Sequence, residues 1–390
     1  MNRRRLVLVG GVIANKLLNG GAAWTRLSWV LGLQQLGFEV YFLEQIAGRD
    51  CVDDGGRKSD FASSANLRHF RNVTERFGLK GAAALVCDDG QEIHGMSSGE
   101  LCELASDADM IVNISGHIRL PCVMQSAACK VLVDLDPGLT QLWYRAGLLA
   151  PEFRLHDRYF TIGEAIGSQA CSLPQGDIAW ETTRQPVVLT LWPVSAKGEQ
   201  SRLTTVAGWR DDCGTMEYEG QTLGPKVHEF RRFVTLPARV SQSCEIALDI
   251  HDGDRADLDS LSRHGWVIRD PRKVVPDPES FRRYVQESGA EFSVAKGVYV
   301  QTQCAWFSDR TVRYLASGKP ALVQDTGFFR IYPVGEGLLA FSSLADAVSG
   351  AASIADNYRA HCRAARELAE HYFDSDRVLG DLAERVGILP

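Results

Sequence analysis

Residues Ser308–Gly327 read SDRTVRYLASGKPALVQDTG, and their reading decides the fold. Ser308 is a good helix N-cap residue. Asp309 follows where the positive end of the helix dipole favours an acid. Val312, Leu315 and Ala316 then share one face at helical spacing. Gly318 suits the left-handed residue beyond the last turn, and Pro320 forbids continuation. Ala321–Val323 reads as a short buried strand that runs into a polar loop, Asp325, Thr326 and Gly327. A helix start with Arg310 in its first turn is a ready anion site, suited to a phosphate or diphosphate without a cage of metal ligands.

Working outward, the same helix–strand rhythm fills the chain. Leu6–Val9 reads as a strand, Gly10–Gly21 as a loop rich in glycine and asparagine, and Ala22–Leu36 as a helix closed by Gly37. Strands follow at Phe38–Leu43, Ala82–Cys87, Met110–Val112, Val131–Val133 and Tyr159–Ile162. Pro193–Arg202, PVSAKGEQSR, reads as a linker. A second series begins after it, with strands at Leu203–Ala207, Glu245–Leu248, Ala290–Ala295 and Ala321–Val323. Asp277-Pro278-Glu279 is a strong helix start. Residues 356–386 read as helical and charge-patterned. The alternation predicts an α/β protein with two doubly wound, Rossmann-like sheets facing each other across a cleft. The expected division is residues 1–192, a linker at 193–202, residues 203–365, and a C-terminal helical tail at 366–390 that packs back on the first domain.

Bulk properties narrow the function classes. A chain of 390 residues exceeds what one core usually supports. A formal charge of −7 argues against a nucleic-acid partner. The Arg3–Arg5 run precedes an apolar stretch too short for a secretory signal, and no apolar run reaches the roughly 20 residues of a membrane span. The ten cysteines are scattered without a CxxC pair or zinc spacing, as in a reduced, cytoplasmic protein.

These motifs carry a family resemblance. The loop ending in Asn19-Gly20-Gly21, followed by AAWTRLSWVLGLQQLGFEVYFLEQ, resembles the opening of a GT-B-fold glycosyltransferase. EFSVAK (Glu291–Lys296), CAWFSDRTVRYLASGKP (Cys304–Pro320), QDTGF (Gln324–Phe328) and GEGLLAF (Gly335–Phe341) resemble its nucleotide-sugar-binding half, and VDLDPGLTQ (Val133–Gln141) is a further similar segment. The resemblance implies a metal-independent transfer of a sugar from an NDP-sugar to the hydroxyl of a small molecule or glycan precursor, such as a specialised metabolite. It implies no cofactor beyond the donor, and it leaves oligomeric state open. Two departures stand out. The usual E-x7-E carboxylates are replaced by Ala305 and Arg313, so ribose recognition falls to Asp309 or Asp325.

Within this frame the expected donor-binding residues are Asn19, Gly20, Gly21, Arg210, Lys226, Lys296, Ser308, Asp309, Arg310, Asp325, Thr326 and Gly327. Glycines let backbone amides approach a ligand, and Arg310 can meet phosphate with paired hydrogen bonds. On this reading Arg310→Ala weakens donor binding more than folding. The acceptor hydroxyl needs a base if the anomeric centre inverts. His117 in NISGH, Asp134 and Asp136 are the candidates; with retention, the donor phosphate itself takes that role. Trp143, Trp180, Trp192 and Trp209 are candidates for stacking or for core packing. Two other readings use the same scaffold: a nucleotide-sugar epimerase, and a non-catalytic nucleotide-sugar-binding protein.

Overall fold

Two parallel sheets dominate the computed structural model, which describes residues 4–197, 201–210 and 214–390. Residues 198–200 of the expected linker, Arg3 of the basic run and Cys213 lie outside the described residues.

The first sheet has eight strands: β1 (Leu6–Gly10), β2 (Glu39–Ile46), β3 (Ala83–Cys87), β4 (Glu92–His94), β5 (Met110–Ile114), β6 (Lys130–Asp134), β7 (Arg158–Thr161) and β8 (Trp180–Thr182). Their spatial order is β4-β3-β2-β1-β5-β6-β7-β8. Every pairing is parallel except that of the edge strand β4 with β3. β1, β3 and β5 are buried at every position, as parallel strands covered on both faces must be.

The remaining strands are β9 (Arg202–Gly208), β10 (Met216–Tyr218), β11 (Gln221–Leu223), β12 (Ser243–Asp249), β13 (Val267–Arg269), β14 (Ala290–Ser293), β15 (Ala321–Gln324) and β16 (Leu338–Phe341). β10 and β11 form a separate antiparallel hairpin. The other six make a wholly parallel sheet in the order β13-β12-β9-β14-β15-β16. Chain order reverses beside β1 in the first sheet and beside β9 in the second. In open parallel sheets such reversals are where loops splay apart at the carboxyl ends of strands and ligands collect.

The two sheet units are bolted together beside those reversals. The first helix, Gly20–Gln35, starts against the start of the Pro278–Gln286 helix. Gly20 N–H donates to Val275 O (3.0 Å), and Trp24 Nε1 donates to Pro278 O (2.6 Å). A Cβ on Gly20 would fall 2.0 Å from Asp277 O, so only glycine permits this approach. Trp24 also packs edge-on against Trp192, which meets Phe281. The predicted helical tail is broken into Tyr358–Tyr372 and Ser375–Val386. The latter returns to the first unit and packs on the Gly20–Gln35 helix, where Gly32 leaves room for Leu379 and Ser375.

The Asp309–Ala316 helix forms as its sequence dictates. Ser308 Oγ accepts from Arg310 N (3.3 Å), Gly318 takes φ +68°, and β15 follows. Among the described residues, no helix is long and apolar enough to cross a membrane.

Candidate active site

The loop after β1, the carboxyl ends of β9 and β12, and the start of the Asp309–Ala316 helix together enclose a cavity of about 520 Å³ between the two units. Asn15–Asn19, Arg26, Gly208, Asp249, Arg272 and Arg310 are among its walls. A second recess of about 570 Å³ adjoins it, sharing Asp249 and Arg272.

The loop wall is held by a buried carboxylate. Glu44, wholly inaccessible on β2, accepts from Ile13 N (2.7 Å), Ala14 N (2.7 Å) and Asn15 N (3.0 Å). Burial pushes its pKa up to about 7 against the pull of those amides and of Arg26. Leu18 is held at φ +54°, a strained position for a side-chain-bearing residue, and Asn19 Oδ1 caps the first helix through Ala22 N (3.0 Å).

Across the cavity the Asp309–Ala316 helix is fixed from both units. Thr25 Oγ1 donates to Asp309 Oδ2 (2.6 Å), and Arg313 Nη1 donates to the same oxygen (2.7 Å). Arg313 also donates to Ser28 Oγ (3.3 Å) and stacks its cation over Trp192. Arg313 is thus an interdomain staple, which explains an arginine in the place of a carboxylate. Arg310 has a comparable fate. Its Nε donates to Glu291 Oε1 (2.5 Å), Nη1 to Val206 O (2.6 Å) and Nη2 to Ser293 Oγ (2.8 Å). Burial works most strongly against its charge, but Glu291, Tyr314 and Asp309 together outweigh it and hold the guanidinium pKa above its ordinary value.

Asn19, Gly21, Asp309 and Arg310 therefore share the cavity wall. Gly20 sits just behind it, pressed on Asp277, and Ser308 is buried as the helix cap. Arg210 lines the adjoining recess, paired with Asp254 (2.7 Å). Lys226 opens the Lys226–Phe230 helix and is not on the cavity wall. Asp325, Thr326 and Gly327 form a turn elsewhere: Asp325 Oδ1 accepts from Gly327 N (2.8 Å), and Thr326 Oγ1 donates to Trp306 O (2.6 Å). None of these three lines the cavity.

The candidate bases occupy the first sheet's loop ends. His117 is solvent-accessible between β5 and Ile118. Its loop is clamped by Asn113, which accepts from Ile118 N (3.0 Å) and donates to Ile118 O (2.9 Å). The enclosing protein wall, with Arg26, Lys16 and Arg119, disfavours the imidazolium, so the pKa of His117 lies below the ordinary value, with solvent contact moderating the shift. Asp136 spans the cleft. It accepts from Tyr299 Oη (2.9 Å) and faces Lys296 Nζ at 3.8 Å. Asp134 is 1 % exposed and is filled by Thr140 (2.6 Å), Thr161 (2.8 Å), Gln141 (3.0 Å) and Asp136 N (3.0 Å), which leaves it no approach to a substrate. Trp192 and Trp209 are core side chains, and none of the four tryptophans lines the cavity.

Arg26 and Glu44 escape a reading of the sequence. Both lie inside segments that read as ordinary helix and strand, and only the fold turns them toward the loop.

A scan against protein-family models and a search of curated proteins give no match. Solved structures do match over the full chain. An alpha-glucosyltransferase (AGT) in complex with UDP has TM-score 0.60 at 10 % identity, covering 99 % of this chain and 100 % of its own. AviGT4, a glycosyltransferase involved in avilamycin A biosynthesis, has TM-score 0.56 at 12 % identity, covering 99 % and 97 %. HepE of Anabaena, in complex with UDP, has TM-score 0.56 at 10 % identity, covering 98 % and 99 %. The fold of this chain is therefore GT-B, two Rossmann-like units across a cleft.

Proposed function

We propose that this protein is a GT-B glycosyltransferase that moves a sugar from an NDP-sugar to the hydroxyl of a small-molecule acceptor, without a metal ion. The observation carrying this reading is the interdomain cavity. It brings the Asp309–Ala316 helix start to the loop after β1, at the chain-order reversals of both sheets. The structural neighbours add that proteins of this shape bind UDP.

On this reading the diphosphate lies at the helix start, where the dipole and the first-turn amides other than that of Arg310, which Ser308 caps, favour anions. The nucleoside extends into the recess with Arg210 and Asp249. The acceptor oxygen attacks the anomeric carbon as the bond to the diphosphate breaks, and a base on the first unit takes the hydroxyl proton. On this reading His117, neutral at pH 7, or Asp136 takes that role from the loops of the first unit, beyond the cavity wall itself. Acceleration comes chiefly from holding donor and acceptor in one orientation and from fixed dipoles facing the leaving group.

One neighbour is an alpha-glucosyltransferase in complex with UDP and a 13-mer DNA, at TM-score 0.58 and 12 % identity, covering 99 % of this chain and 100 % of its own. The charge of −7 on the present chain favours a small acceptor over a polyanion. The absent carboxylate pair keeps a non-catalytic sugar-nucleotide binder as the second reading. Incubation with NDP-sugars and an acceptor panel tests both. Release of NDP with a glycosylated product supports transfer. Altered sugar without NDP release indicates an epimerase, and binding without turnover indicates the second reading.

A further inference from the structure

Every nitrogen of Arg310 already donates within the second unit, Nε to Glu291, Nη1 to Val206 O and Nη2 to Ser293 Oγ, whereas Arg26 is far less engaged and has the geometry to meet an anionic ligand. It lies on the Gly20–Gln35 helix and lines the cavity opposite Arg310. Among the described residues its single hydrogen bond is a long one, from Nη1 to Ala22 O (3.4 Å). Its Nε is buried with no partner among the described residues. A guanidinium has five donors, and leaving them unmet inside a protein is costly unless a ligand supplies acceptors. The carboxylates whose charge acts on it are Asp309, Asp136 and Glu44. Each is already engaged: Asp309 by Thr25 and Arg313, Asp136 by Tyr299 and Lys296, Glu44 by three amides. They offset the charge of Arg26 through space without occupying its donors.

The chain also makes room for this side chain. A Cβ on Gly11 would fall 2.7 Å from Arg26 Cγ, so glycine at 11 is the slot through which the arm passes. Lys16 is exposed on the same cavity wall.

We propose that Arg26, seconded by Lys16, is the ligand-binding cation of the cleft, and that it grips the diphosphate of the nucleotide from the first unit while the Asp309–Ala316 helix start faces it from the second. This deepens the NDP-sugar reading and rests on it. The anion then bridges both units.

The test is calorimetric titration of the full chain. The probe is whichever of UDP, dTDP, GDP and ADP the wild type binds best, with its parent nucleoside as the control that lacks phosphate. Charge-assisted bonds of this kind predict that Arg26→Gln loses about 10- to 100-fold in diphosphate affinity. Nucleoside affinity should stay within about twofold, because the phosphate contact is absent from it. Arg26→Lys recovers part of the loss. Gly11→Ala, which displaces the arm without removing it, weakens the diphosphate selectively as well. The thermal midpoint of ligand-free Arg26→Gln should fall by no more than about 2–4 °C, the equivalent of roughly 1 kcal/mol, since the arm's hydrogen bond to Ala22 O is a long one; a structural role predicts a larger fall. Diphosphate affinity unchanged in Arg26→Gln overturns the assignment; if that variant does not fold, unchanged affinity in both Arg26→Lys and Gly11→Ala overturns it. A wild type that binds no nucleoside diphosphate, or binds it no better than the nucleoside, overturns instead the NDP-sugar reading beneath it.

Discussion

Replacing Arg310 by alanine should first of all destabilise the protein. The guanidinium is spent on Glu291, Val206 O and Ser293 Oγ, and Glu291 is 0 % exposed with its other oxygen unbonded. Removing the cation leaves that carboxylate with no partner. Breaking one side of a buried pair costs about 3–5 kcal/mol. That is a large share of a typical total of about 5–15 kcal/mol. At about 2–4 °C per kcal/mol for a unit of this size, the midpoint should drop by about 6–20 °C. Thermal unfolding followed by circular dichroism at pH 7 measures it. The double variant Arg310→Met, Glu291→Leu removes both charges and should recover most of the loss, because well-packed apolar replacements of buried pairs are often neutral. An Arg310→Ala midpoint within 1–2 °C of wild type, on that same scale, would refute the buried-pair reasoning and return Arg310 to a direct phosphate role.

Four further outcomes follow from the same geometry. Gly20→Ala drives a methyl into Asp277 O and should cost about 1–3 kcal/mol by overpacking while weakening nucleotide binding, checked by urea unfolding and titration. Thr25→Val deletes the bond to the charged Asp309 and should cost about 1.5–3 kcal/mol, read from the same unfolding curves. Glu44→Gln puts an amide donor among three amide donors and should loosen the 13–15 loop; faster hydrogen exchange at Ile13–Asn15 is the expected signature. His117→Ala should reduce turnover and spare nucleotide binding. Because the folded-state pKa of His117 is depressed, the neutral base persists as pH falls past its ordinary value of about 6.5. The acid limb of kcat/KM should therefore lie below that value, and a limb at or above it would remove His117 as the base.

Local chemistry made much of this molecule legible in advance. Ser308, Gly318 and Pro320 bracket their helix as capping rules require, and Asp277 with Pro278 starts another. Apolar runs located the main parallel strands, although edge strands such as β4, β8 and β13, three residues each and not fully buried, carry too little pattern to register. Side-chain partnership was not legible. Nothing in SDRTVRYL says that Arg310 folds inward onto Glu291 or that Arg313 reaches Ser28 across the units. The sequence expectation that Arg310→Ala harms binding more than folding fails to anticipate that burial. Nor does NGG reveal that Gly20 is needed for helix-to-helix approach as well as for a loop. Long-range contacts decide these points, and spacing along the chain carries no record of them.

The most direct measurement is a crystal structure of the full chain grown with a saturating nucleoside diphosphate, chosen as the wild type's best binder. The diphosphate should sit in the interdomain cavity, within hydrogen-bond reach of the first turn of the Asp309–Ala316 helix and of the Arg26 guanidinium. A nucleotide seated elsewhere on the protein, or a cavity that stays free of it at saturation, would refute the donor-site assignment.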